Sequence, residues 1–290
     1  TNVPLYIPNN LASVTIDGNG HRLVLADGYE GLHIDAESYP SGTRAIALVD
    51  LSLIGHNENI DSSTALGDRK AGGGMHVGGS KTTLAWNNVT MAGVHGIGTG
   101  GGLVSYGANV TLTDCTISDV SATGNGGFYT SDAGGINYNG SLTVSGGTVS
   151  GARSGGNGGF ALVSGGTHTF IGVSFDDCSA ADSGGVISNA RGGASTYIVT
   201  SCAFTGNSAG ESGGAIQSQK GGHTITDSTF TNNAAGTSSN AYLGVGGAFY
   251  QNSATQSTYS AISGCTFTGN TAKSGGAVYG QGFDFSNVRF

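Results

Sequence analysis

The amino-acid sequence predicts an all-β fold: a right-handed parallel β-helix, a solenoid of about ten coils with roughly 26–30 residues in each. Three observations carry that expectation. A Gly-Gly-apolar motif recurs at Gly73-Gly74-Met75, Gly101-Gly102-Leu103, Gly134-Gly135-Ile136, Gly158-Gly159-Phe160, Gly184-Gly185-Val186, Gly213-Gly214-Ala215, Gly246-Gly247-Ala248 and Gly275-Gly276-Ala277. A Phe-x-x-Asn motif precedes the last three: Phe204 with Asn207, Phe230 with Asn233, Phe267 with Asn270. Between these motifs lie short apolar–polar alternations and no apolar period of 3.6 residues, which excludes helices alternating with strands. Hairpin signals are lacking, which argues against a sandwich. Gly makes up 55 of 290 residues without a Gly-X-Y period, so collagen is excluded as well.

Residues 1–44 read as irregular lead-in coils. Leu5-Tyr6-Ile7 is a short strand stopped by Pro8, and Val14-Thr15-Ile16 runs into the turn Asp17-Gly18-Asn19-Gly20. Leu23-Val24-Leu25 and Leu32-His33-Ile34 follow, each ended by a turn signal. Residues 45–290 read as regular coils of three strands. In one copy these are Ala215 to Ser218, His223 to Thr226 after a Lys-Gly-Gly turn, and Ser228 to Phe230. The whole chain, 1–290, is then one solenoid domain. Val288-Arg289-Phe290 aligns with Cys265-Thr266-Phe267, so a piece of a longer protein is expected.

Like positions of successive coils sit above one another. Phe175, Phe204, Phe230 and Phe267 are therefore expected as an inward stack, continued by Val149, Ile117, Met91 and Leu53. Asn207, Asn233 and Asn270 are expected as an amide ladder at the next turn. Cys115, Cys202 and Cys265 each precede an inward residue by two and share its face, which predicts buried thiols. Cys202 and Cys265 fall two coils apart, about 9.6 Å and beyond disulfide reach. Cys178 takes the place of the ladder Asn in its coil.

Charged residues make up only 10% of the chain and the net charge is −8, which disfavours a nucleic-acid groove. No run of 18 apolar residues occurs, so no direct membrane span is expected. The seven histidines show no ligand spacing, and Gly98 to Gly102 lacks the Lys-Ser/Thr of a phosphate loop. Neither metal nor cofactor is expected, and the solenoid is expected to be a monomer.

The pairing of Gly-Gly-Ala-apolar with Phe-x-x-Asn resembles the repeat of the polymorphic outer-membrane proteins, autotransporter-type bacterial surface proteins. Three copies carry both halves: Phe204/Asn207 with Gly213 to Ile216, Phe230/Asn233 with Gly246 to Phe249, and Phe267/Asn270 with Gly275 to Val278. The resemblance implies a β-helical passenger, secreted or on the bacterial cell surface, that adheres to a host or cell-surface glycan or protein. The variable segments before each Gly-Gly are the expected binding loops, with Asp68, Arg69, Lys70, Phe128, Tyr129, Asp182, Glu211 and Tyr242 as exposed contact residues. The alternative is a β-helical carbohydrate-active enzyme, since that fold also hosts glycoside hydrolases and, less in keeping with ten scattered basic residues, polysaccharide lyases. Its carboxylate pair is then Asp61 and Asp68, in the polar stretch from His56 to His76. Asp176, Asp177 and Asp182 form a second acidic group, which turn chemistry alone also explains.

Overall fold

The structure, a computed structural model, describes residues 5–7, 11–25, 32–34, 43–55, 74–133, 136–137, 139–189, 194–236, 244–252 and 259–290. Among these there is no helix, and every pairing between coils is parallel. The chain is a parallel β-helix. One coil shows the plan: Ile187–Ser188, Thr196–Thr200, Ala203–Thr205 and Ser208–Ala209 each join a separate sheet. The sheets hold ten, ten, nine and six strands, and a bridge from Ala234 to Thr271 extends the shortest. Among the described residues about 7 turns are complete, fewer than the ten expected, the fourth sheet being described from His95 to Ala235.

That fourth sheet escapes a three-strand reading because its strands are only two residues long, such as Ser208–Ala209. Single left-handed residues make the corners on either side of the third sheet. Asp50, Asn88, Asp114, Ser201 and Asp227 serve one corner, at φ between 47° and 54°; Asp119, Asp177 and Asn232 serve the other, at 49° to 55°. Asn and Asp tolerate this region better than other side chains, which explains the acidic character of these turns.

In Gly158-Gly159, Gly184-Gly185, Gly213-Gly214 and Gly246-Gly247 the two glycines answer two different demands. The first sits at positive φ, as at Gly213 (61°) and Gly246 (64°). The second lies under the next coil: a Cβ on Gly214 would strike the carbonyl oxygen of Gly247, and one on Gly247 that of Gly276. Leu103 pairs with Tyr129 and Tyr129 with Ala161, so the pair of the intervening coil is Gly126-Gly127, not Gly134-Gly135. Ile136 instead belongs to an inserted antiparallel hairpin, Asp132–Ala133 with Ile136–Asn137.

Inside, Phe175, Phe204, Phe230 and Phe267 stack with centroids 5.0, 4.7 and 4.7 Å apart. In register below them lie Val149, Ile117, Met91, Leu53 and Leu23. At the following corner the Nδ2 of Asn207 donates to Asn233 Oδ1 and that of Asn233 to Asn270 Oδ1, each at 2.9 Å. The same nitrogens also donate to the carbonyls of Phe175 and Phe204. Cys178 stands at the head of this ladder, where its N–H donates to Asn207 Oδ1. All four cysteines are buried and unpaired by disulfides.

The first inward position of the second sheet changes from apolar to polar along the rod: Leu84, Val110, Leu142, His168, Tyr197, His223, Ser260. His168 accepts the Leu142 N–H at Nδ1 (3.2 Å), and its Nε2–H donates to the Gly165 carbonyl (2.7 Å). His223 accepts the Tyr197 N–H at Nδ1 (3.0 Å), with Ser218 Oγ at Nε2 (2.7 Å). Burial lowers these imidazoles to about 4 and about 3, so both are neutral at pH 7.

Candidate functional site

Asp61, Asp68, Arg69, Lys70 and Tyr242 lie outside the described residues. Tyr129 is not a loop residue. The Gly126-Gly127 register carries Phe128 and Tyr129 into the first sheet and the core, where both are 0% exposed. Phe128 stacks on Phe160 at 5.2 Å, and burial pushes the Tyr129 phenol up to about 12. A contact with solvent ligands is therefore closed to both.

Asp182 and Glu211 do come together, on adjacent coils at the edge before the glycine pair. The Glu211 N–H donates to the Asp182 carbonyl at 2.7 Å. Partial burial, then the charge of Asp182, raises the Glu211 carboxyl. Asp182 in turn accepts from Asn157 Nδ2 at 3.4 Å. Asp177 is one of the left-handed corner residues, and Asp176 accepts from Ser174 Oγ at 2.8 Å. The second acidic group thus resolves into turn and cap positions and one edge pair.

The outer side of the fourth sheet brings a histidine, a serine and an aspartate into sequence. His95 Nδ1 lies 2.8 Å from Ser121 Oγ, and its Nε2 lies 4.0 Å from Asp119 Oδ2. These residue types invite comparison with a nucleophilic triad, but the N–H groups beside Ser121 are engaged within the coil stack rather than offered as oxyanion donors. The Ser121 and Thr123 N–H groups donate to Val94 and Gly96 within the coil stack. The arrangement is a surface hydrogen bond between coils. Among the described residues no group of three His, Cys, Asp or Glu gathers as a metal site.

Two open grooves lie at the C-terminal coils. One, of about 690 Å³, runs between residues 264–266 and 287–290. The other, of about 510 Å³, is lined by Tyr250, Gln251, Asn252, Tyr279, Gly280 and Gln281, with Val278 at its floor. Among the described residues neither is lined by an Asp or Glu side chain. Tyr250 and Tyr279 are paired in register on the outer face of the first sheet, with ring centroids 6.1 Å apart and planes 24° apart. Period-two alternation after Gly247-Ala248-Phe249 and Gly276-Ala277-Val278 is the sequence signal that points both rings outward.

This geometry defines a class: a repeat solenoid that presents outer faces and shallow grooves along a stiff stack. Two of its segments, residues 201–219 and 264–281, match the Chlamydia polymorphic membrane protein repeat. Each match spans a corner before the third sheet, the Phe strand, the ladder Asn, the glycine pair and the next strand of the first sheet. The coil between them repeats the same register at Phe230, Asn233 and Phe249. No curated protein and no solved structure matches the chain.

Proposed function

We propose that this β-helix belongs to a bacterial surface protein and attaches it, without catalysis, to a glycan or protein on another cell. The observation that carries the reading is the repeat match at residues 201–219 and 264–281, since the polymorphic membrane proteins that define this repeat are outer-membrane and surface proteins. The physics of the solenoid supports it. Coils spaced about 4.8 Å apart hold successive loops at fixed intervals, so weak contacts add through effective concentration rather than through one deep pocket. The tyrosine groove offers neutral hydrogen-bonding groups and aromatic rings, the other groove adds Arg289, and the described lining of neither holds an Asp or Glu pair for glycoside cleavage.

The test is attachment of beads coated with the purified chain to cultured host cells, beside a turnover assay on a glycan panel. Saturable attachment that soluble chain competes away is the expected result. Absence of attachment above bare beads would refute the reading. So would glycan cleavage that disappears in an Asp61→Asn/Asp68→Asn variant.

A further inference from the structure

The outward column of the first sheet changes character along the rod. In register order, from His76, it runs His76, Val104, Thr130, Leu162, Ser188, Gln217, Tyr250, Tyr279. His76 and Gln217 are 2% exposed and the four residues between them 0%, so over these coils the sheet's outer side is covered by other parts of the chain. At Tyr250 the column opens, and Tyr279 is 45% exposed. From His76 onward the covered positions are filled by His, Val, Thr, Leu, Ser and Gln, and the two open ones carry phenol rings. At Tyr279, 45% exposed, burial does not account for the ring.

Their surroundings are uncharged. Gln251, Asn252 and Gln281 line the same groove, and among the described residues no Asp, Glu, Lys or Arg does. Burial, then the neighbouring Tyr279 phenol, raises Tyr250, so it carries a neutral hydroxyl at pH 7. A groove of about 510 Å³ falls within the size range of ligand clefts.

We propose that this groove is a subsite for a neutral glycan, with the C–H face of a pyranose on the Tyr279 ring and its hydroxyls on the Asn252 and Gln281 carboxamides. The inference rests on the attachment reading above and names its ligand class. A sugar hydroxyl both donates and accepts, as a carboxamide does, and the apolar sugar face matches an exposed ring. A sialylated, sulfated or phosphorylated ligand requires a cation that the groove lacks, and it meets a chain of net charge −8.

The experiment probes an array of neutral and anionic glycans with multimerised wild-type chain, Tyr279→Ala and Tyr279→Phe, with cell attachment measured in parallel. Wild type is expected to bind neutral glycans. Tyr279→Ala is expected to weaken that binding about tenfold, while Tyr279→Phe, which keeps the ring, retains most of it. Because Tyr279 is exposed, an unchanged thermal midpoint shows that the variant is folded. Binding that ignores Tyr279→Ala, or that is confined to anionic glycans, overturns the subsite. Cell attachment with no neutral-glycan binding also overturns it, and points to a protein receptor while leaving the attachment reading intact. Failure of attachment itself strikes the reading beneath both.

Discussion

Phe230 sits where the inward stack is tightest, so its truncation is the sharpest test of the core. The ring is 0% exposed, with Phe204 at 4.7 Å and an interplanar angle of 0° on one side. Phe267 lies at 4.7 Å and 6° on the other. Burying a Phe and leaving a cavity on its removal gives about 3–5 kcal/mol for Phe→Ala. Two stacked neighbours, each worth about 0.5–1.5 kcal/mol beyond area, place Phe230→Ala in the upper half of that range. The coils above and below are rigid in register, so they collapse little into the void. A loss of about 4 kcal/mol lowers the thermal midpoint of a chain this size by about 8–16 °C. Phe230→Leu, which keeps most of the volume, is expected to cost about 1–2 kcal/mol. Urea denaturation followed by circular dichroism measures both. A loss under about 1 kcal/mol for Phe230→Ala would refute the inward stack and the register that builds it.

Other perturbations separate the remaining parts of the fold. Gly247→Ala places a methyl against the Gly276 carbonyl and the Thr271 carbonyl above it, and is expected to cost about 1–3 kcal/mol or more. Gly276→Ala meets only the Asn270 carbonyl at 3.2 Å and is expected to cost under about 1 kcal/mol; equal midpoints for the two would refute the coil-on-coil contact. His168 and His223 refuse protons in the fold, at about 4 and about 3, that the unfolded chain accepts below about 6.5. Stability is therefore full above that pH and falls by about 2 kcal/mol for each by pH 5; a flat profile between pH 7 and 5 would contradict their neutral burial. Burial raises all four thiols, Cys178 to about 12, so none should react with a thiol reagent until the chain unfolds. Rapid labelling of native protein would contradict that placement.

The strongest sequence signals were those fixed by stacking. Phe-x-x-Asn carries two inward positions three residues apart around one left-handed corner, so the aromatic column and the amide ladder are legible wherever both letters occur. The middle coils are harder to read, because Gly126-Gly127 and Gly134-Gly135 look alike in sequence, and the strand register selects the first. An inserted hairpin of two-residue strands leaves no alternation long enough to show. Misplacing that register is what made Phe128 and Tyr129 read as loop aromatics. The tyrosine groove was legible in principle from alternation, but its exposure depends on which coils of the outer face are covered, and no local pattern encodes that. The polar column of His168, Tyr197 and His223 is hidden for a related reason: each residue is polar alone, and the imidazole Nδ1 atoms accept from backbone N–H groups of the neighbouring coil.

Groove, ladder and attachment surface all require the coils to stack in one parallel register, and a single distance tests it. Asn87 and Ser286 both point outward from the second sheet. They are joined through Thr113, Ser145, Ile171, Thr200, Thr226 and Ser263. Seven rungs of about 4.8 Å place them about 34 Å apart. Spin labels on Asn87→Cys and Ser286→Cys, with the buried native thiols unlabelled, report this separation by pulsed electron paramagnetic resonance. The account predicts one narrow distribution centred near 34 Å; a broad distribution, or one centred well away from it, would contradict the stacked solenoid.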